Sequence, residues 1–198
     1  MARSSDGSRR PHVSPPPAAV PVTASPQAIP AWGPEGDARV VIETPKGSRN
    51  KMAYRPDWQT FEVKRVLPSG MSFPYDFGFI PGTRGGDGDP LDVLVMNSRP
   101  LVPGAVVRSR PIGVLFMEDD GGQDEKILAV PVSKLTKMYD GIRDIGDMQP
   151  IQIERVKHFF THYKDLEPGK WAKISHVGNA AEAKRVILES IERAKTAK

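Results

Sequence analysis

Asp87-Gly88-Asp89-Pro90-Leu91-Asp92-Val93-Leu94-Val95-Met96 runs from a knot of acids straight into an apolar strand. Three carboxylates within six residues repel one another, so each resists ionising beside its neighbours. A divalent cation relieves that repulsion, and hard oxygen ligands select magnesium, calcium or manganese over zinc or copper. Residues two apart in extended chain point the same way, which turns Asp87 and Asp89 toward one cavity. A bend at Pro90 returns Asp92 to it, and Gly85, Gly86 and Gly88 let backbone approach closely. The run is not an EF-hand calcium loop, because Asp92 stands where that motif needs its sixth-position glycine. A plain surface turn has no use for a third acid entering an apolar strand.

A second acidic group lies downstream in Met117-Glu118-Asp119-Asp120-Gly121-Gly122-Gln123-Asp124-Glu125-Lys126. Taken alone, Asp119-Asp120-Gly121-Gly122 reads as an ordinary surface turn. Placed across a Gly-Gly hairpin, however, Asp119 and Asp124 converge at its mouth. Lys126 follows Asp124 by two, so in a strand the ammonium shares its face. Magnesium sites combine a few carboxylates with substrate phosphates, and Lys51, Arg65, Lys126 and Lys164 are the cations available to complete one. Tyr163-Lys164 adds a hydroxyl and an ammonium at a helix end.

The surrounding text is a series of short strands. Val40–Glu43, Phe61–Leu67, Leu91–Met96, Ala105–Arg110, Ile112–Met117 and Lys126–Val130 are separated by Gly and Pro, with Pro111 splitting the fourth from the fifth. This pattern predicts a small antiparallel barrel. Helices come late. Pro150 suits the first turn of a helix running to about Tyr163, with Ile153, Val156, Phe160 and Tyr163 on one face. Asn179 with Glu182 three residues on resembles a capping box, and it opens a last helix with Ala183, Ile187, Ile191 and Ala194 as its apolar stripe. Strands followed by helices make the chain α+β.

Composition narrows the class. Residues 1–36 hold eight of the twenty prolines, with Ser and Ala filling much of the rest. Such a segment buries too little apolar area to offset its ordering entropy and is expected to be disordered, leaving 37–198 as the folded domain. Its Arg3, Arg9 and Arg10 hint at organellar targeting, but it lacks the apolar core of a secretory signal. No cysteine is present, which removes disulfides and thiolate chemistry and fits a reducing compartment. Net charge is only +4, with basic residues mixed among acids rather than gathered in a stripe. No apolar run approaches the length of a membrane span.

Taken together, the segments resemble those of the family I soluble inorganic pyrophosphatases. The resemblance rests on Asp87-Gly88-Asp89-Pro90-Leu91-Asp92-Val93, on Phe73-Pro74-Tyr75-Asp76-Phe77-Gly78-Phe79-Ile80-Pro81, on Arg110-Pro111-Ile112-Gly113 and on His158-Phe159-Phe160-Thr161-His162-Tyr163-Lys164-Asp165-Leu166. It implies a five-stranded OB-like β-barrel with flanking C-terminal helices, and magnesium-dependent hydrolysis of pyrophosphate, with manganese or zinc as substitutes. Carried onto this chain, it makes Asp87, Asp92, Asp119 and Asp124 metal ligands and Asp89 the base that takes a proton from water. Lys51, Arg65, Lys126, Tyr163 and Lys164 would hold phosphate oxygens, with Glu43 and Phe77 in support. It also implies a cytoplasmic homo-oligomer, the short form being hexameric, with no membrane partner. Two positions depart: Ala53 stands where the family has an active-site carboxylate, and Phe77 where it has a tyrosine. Each missing hydrogen bond to a charged group costs about 1.5–3 kcal/mol, or one to two decades of rate or affinity. Those departures leave room for another phosphoanhydride as substrate, or for a non-catalytic OB-like module binding nucleic acid. Against the latter, the full acid set repels a phosphate backbone. His158 and His162, four apart on a helix, are expected to serve packing or subunit contacts.

Overall fold

Val40, Val41 and Ile42 are fully or almost fully buried, because β1 (Ala38–Thr44) is covered on both faces. The computed structural model describes residues 25–196, and eight further strands and two helices follow. The strands are β2 (Asn50–Arg55), β3 (Thr60–Val66), β4 (Asp76–Phe79), β5 (Asp92–Val95), β6 (Val106–Asp119), β7 (Gly122–Gln123), β8 (Lys126–Pro131) and β9 (Ala172–Asn179). The helices are α1 (Pro150–His162) and α2 (Ala180–Thr196).

Five strands pair in the order β1-β4-β5-β8-β6, and β6 pairs back onto β1, closing a ring. The α+β body of five strands with C-terminal helices is therefore present. β7 and β9 extend β6, while β2 and β3 form a separate hairpin. Two details differ from expectation. The ring is not wholly antiparallel, since β5 and β8 run parallel, with Asp92 beside Lys126 and Leu94 beside Leu128. A parallel pair requires a long crossover, and the chain between these strands supplies it as β6 and β7. Nor does Pro111 split a strand. β6 runs unbroken through it, and the register slips between Pro111 and Gly113, which is how a residue without an N–H is accommodated.

Strands buried on both faces read as continuous apolar runs, and the two faces feed two cores. Leu94, Leu128, Ile112 and Leu115 join Phe73, Phe77 and the α1 residues Val156, Phe159 and Phe160. Their neighbours Val93, Val95, Ile127 and Ala129 point the other way, toward Ala183, Val186 and Ile187 of α2. On α1 the buried face is centred on Val156, Phe159 and Phe160, with Ile153 only partly covered. α2 begins as its sequence predicts: Asn179 accepts from the Glu182 N–H at 3.0 Å, and Glu182 accepts from the Asn179 N–H at 2.8 Å.

Gly78 shows why β4 is hard to recognise as a strand. A Cβ there would lie 1.9 Å from the Val41 carbonyl oxygen, so only glycine lets β4 cross β1 this closely. Of the expected extension 1–36, residues 1–24 lie outside the described residues. Within 25–36, Pro26–Ala28 form a short 3-10 turn and Trp32 bridges Ala38. The Arg39 side chain donates to the carbonyls of Pro30 and Trp32, at 3.0 and 3.2 Å. Asp37, 2% exposed, forms a two-pronged ion pair with Arg108, at 2.8 and 3.1 Å.

Candidate active site

The acid loop is pinned at its base before it reaches the cavity. The Thr83 hydroxyl donates to the Ile80 carbonyl at 2.5 Å and accepts from the Leu91 N–H at 2.9 Å, while the Ile80 N–H donates to the Leu91 carbonyl at 3.0 Å. Within the loop, the Gly85 N–H reaches the Asp89 carbonyl at 2.7 Å, and the Asp89 N–H reaches Asp87 Oδ1 at 3.0 Å. Gly88 takes a φ of +92°, a conformation that side chains disfavour, so the turn requires glycine there. The result puts Asp87 within the field of both Asp89 and Asp92, and turns Asp87 and Asp92 toward one cleft.

Opposite them, Gly121-Gly122 turns the β6–β7 hairpin, where the Gly121 N–H caps Asp119 at 2.7 Å. Asp87, Asp92, Asp124 and Gln123 line one small cleft together with Gly85 and Gly86. The acid loop and the hairpin are therefore two walls of one site. Lys126 joins them. Its ammonium, 3% exposed, donates to Asp92 at 2.5 Å and also to Asp124. The parallel register of β5 and β8 puts Asp92 and Lys126 side by side, a geometry that spacing alone does not reveal.

The remaining cations ring this core. The Lys164 ammonium donates to Asp119 at 2.7 Å and to Asp120 at 2.8 Å, and Asp120 also holds Lys170. Arg65 meets a Glu167 oxygen at 2.7 Å and stands over the Tyr163 ring at 5.3 Å. Lys51 and Lys126 both stand over the Phe77 ring, at 5.5 and 5.8 Å from its centre. Glu43, 8% exposed, accepts the Tyr54 N–H at 2.8 Å. The predicted site residues thus fall in one neighbourhood, although Asp87 and Asp89 are both exposed, Asp89 is not among the residues lining the cleft, and its carboxylate has no hydrogen-bond or ion-pair partner among the described residues.

Electrostatics confirm the clustering. Burial, together with the like charge of Asp92, pushes Glu43 up to about 7, and burial with Asp92 and Asp119 pushes Asp124 to about 6. Asp87 is raised by burial and then by Asp89 and Asp92. Burial pulls Lys51 down, against the pull of Asp92. Burial raises Tyr163, which feels Lys126, Lys164, Asp124 and Arg65. One field connects all these groups.

Among the described residues, no three carboxylates or imidazoles stand together as a finished metal cage. The donor chemistry nonetheless fits hard divalent cations. The donors are all oxygen, neighbouring carboxylates help to raise Asp87 and Asp124, and ammoniums pair with Asp92, Asp119 and Asp124. Three partners were not legible in the sequence. Glu167 lies 102 residues from Arg65, and nothing in the spacing marks the pair. Asp120 and Lys170 brace Lys164, and Asp120 had the appearance of a turn residue. His158 and His162 are exposed, their rings 4.7 Å apart, with His162 paired to Asp165 at 2.7 Å, so core packing is not their role.

Comparison with known proteins agrees with this geometry. The family model for inorganic pyrophosphatase matches residues 40–195. The inorganic pyrophosphatase of Agrobacterium fabrum is 49% identical over 164 residues, covering 82% of this chain and 93% of that protein. That of Sulfolobus acidocaldarius is 47% identical over 154 residues, covering 78% and 89%. Among solved structures, the inorganic pyrophosphatase from Thermus thermophilus superposes with a TM-score of 0.82 at 40% identity, covering 87% of this chain and 99% of that one. Matched over nearly all of its described residues in both sequence and fold, the chain belongs to the inorganic pyrophosphatase family.

Proposed function

We propose that this protein hydrolyses inorganic pyrophosphate to two orthophosphates, using magnesium held by Asp87, Asp92, Asp119 and Asp124. The observation that carries the proposal is the alternation of acids and ammoniums in one place. Pyrophosphate is a multiply charged anion that needs cations on several sides, and an acid cluster alone would repel it. Bound divalent cations supply what the acids lack, neutralising phosphate charge and lowering the pKa of a coordinated water.

The chain's own residues do the rest. Lys51, Arg65, Lys126, Tyr163 and Lys164 surround the acids and hold phosphate oxygens, Lys126 and Lys164 from within the acid cluster itself. Phosphoryl transfer needs little beyond such positioning and charge. Asp89, open and unpaired, accepts the proton of the attacking water. Glu43, fixed by the Tyr54 N–H, supports the acid group from below. Ala53 brings no carboxylate, and Glu62 across the hairpin from it is held by Arg55 at 3.1 Å, so the rate is set about one to two decades below that of a site with the missing carboxylate. Manganese or zinc would substitute for magnesium. A cytoplasmic homohexamer belongs to the same proposal, as the resemblance of this short chain to the bacterial form implies.

Phosphate release from pyrophosphate by purified protein, with magnesium and with chelator, tests the reading. Release that depends on magnesium is expected; none above background refutes it.

A further inference from the structure

Phe77 has no polar atom in its side chain, yet two of the cations assigned to phosphate stand over it. Its ring is 2% exposed, wedged against Phe73 at 5.4 Å, and cannot swing away. The Lys51 and Lys126 ammoniums stand over it at 5.5 and 5.8 Å, both within the range where a ring's negative face attracts a cation. The two differ in what else holds them. Lys126 is anchored by Asp92 and Asp124. The Lys51 ammonium has no hydrogen-bond or ion-pair partner among the described residues; Asp92 attracts it from a distance, and the ring is the group that the structure places directly under it. The two ammoniums also repel each other, as the effect of Lys126 on Lys51 shows.

We propose that Phe77 is a positioning residue: its π face holds Lys51 beside Lys126 and leaves every Lys51 N–H free for a phosphate oxygen. The inference rests on the phosphate-binding role given to Lys51 above. A hydroxyl-bearing ring could accept a hydrogen bond from the ammonium and divert it; a phenyl ring orients the charge without consuming a donor. The ring thereby keeps a half-buried lysine poised for an anion. Cation–π attraction is strongest where water is excluded, which is the situation of this fully buried ring.

The test replaces Phe77 with phenylalanines carrying one, two and three ring fluorines, which drain the π face while leaving shape nearly unchanged. Phe77→Leu serves as a coarser companion. Two quantities are read: KM and kcat for magnesium pyrophosphate, and the rate at which Lys51 is acetylated in metal-free protein, followed by mass spectrometry. Stepwise increases in KM with fluorination, reaching roughly 5- to 30-fold, are expected, with kcat changing less and thermal unfolding unmoved. Lys51 acetylation should quicken in the same order as the ammonium is released. Fluorinated proteins identical to the parent in both readouts overturn the proposal. Should the parent release no phosphate at all, the functional reading fails, while the acetylation series still decides whether the ring holds Lys51.

Discussion

Lys126→Met is the perturbation whose cost follows most directly from the structure. The ammonium is 3% exposed and bridges Asp92 and Asp124, whose side chains are 24% and 13% exposed. Removing one partner of a buried ion pair costs about 3–5 kcal/mol, because the charge left behind is uncompensated. Here two carboxylates are left behind, but both touch water and part of the loss is screened. The lower end, about 3 kcal/mol, is therefore expected in metal-free protein. For a domain of this size that lowers Tm by roughly 6–12 °C. Urea unfolding with chelator and with magnesium measures it. Magnesium should narrow the gap between variant and parent, since a divalent cation supplies the positive charge that the variant lacks and stabilises by mass action. A metal-free loss below about 1 kcal/mol, or a gap that magnesium leaves unchanged, would refute the view that Lys126 holds the two walls of the site together.

Two further outcomes follow from the fold. Asp37→Asn breaks the two-pronged pair with Arg108. Because the Arg108 side chain is 28% exposed, the loss at pH 7 should be smaller than that of a fully buried pair. Arg108 holds the Asp37 carboxyl below its usual range, so the pair's stability is full above about pH 4 and fades as pH falls through the folded value. Urea midpoints at pH 7 and pH 3 should show the penalty shrinking on acidification, and a penalty that grows instead contradicts the assignment. Gly78→Ala would drive a Cβ into the Val41 carbonyl, a backbone clash with no flexible group to yield. A loss of more than about 4 kcal/mol, read as insoluble or unfolded protein by circular dichroism, is expected; near-parent stability would mean β1 and β4 do not cross as described.

The parts of the molecule legible in the sequence are those where local signals and packing agree. Asn179 and Glu182 announce α2, and the capping box forms. Leu91 to Met96 reads as a strand because β5 is buried on both faces. Pro111 misleads for a local reason. Proline usually ends a strand, and only a register slip against β8, set by tertiary contacts, lets β6 continue. β4 hides because Gly78 interrupts its pattern, and the demand for that glycine comes from Val41, 37 residues away. β9 is half exposed and carries no clean alternation. At the site, the acids were legible because like charges packed so densely need an explanation. Their counter-charges were legible only in part: spacing puts Lys126 beside Asp124, but Lys126 meets Asp92 through strand register, and the Arg65–Glu167 pair forms only through the fold as a whole.

The central claim is that Asp89 takes a proton from water between the two acidic walls. Asp89 is exposed and its carboxylate bonds to nothing described, so Asp89→Asn should leave urea stability within about 0.5 kcal/mol of the parent. Phosphate release from magnesium pyrophosphate should nevertheless fall by roughly 100-fold or more, the contribution of a positioned general base. A folded Asp89→Asn protein that releases phosphate at the parent rate would contradict the account.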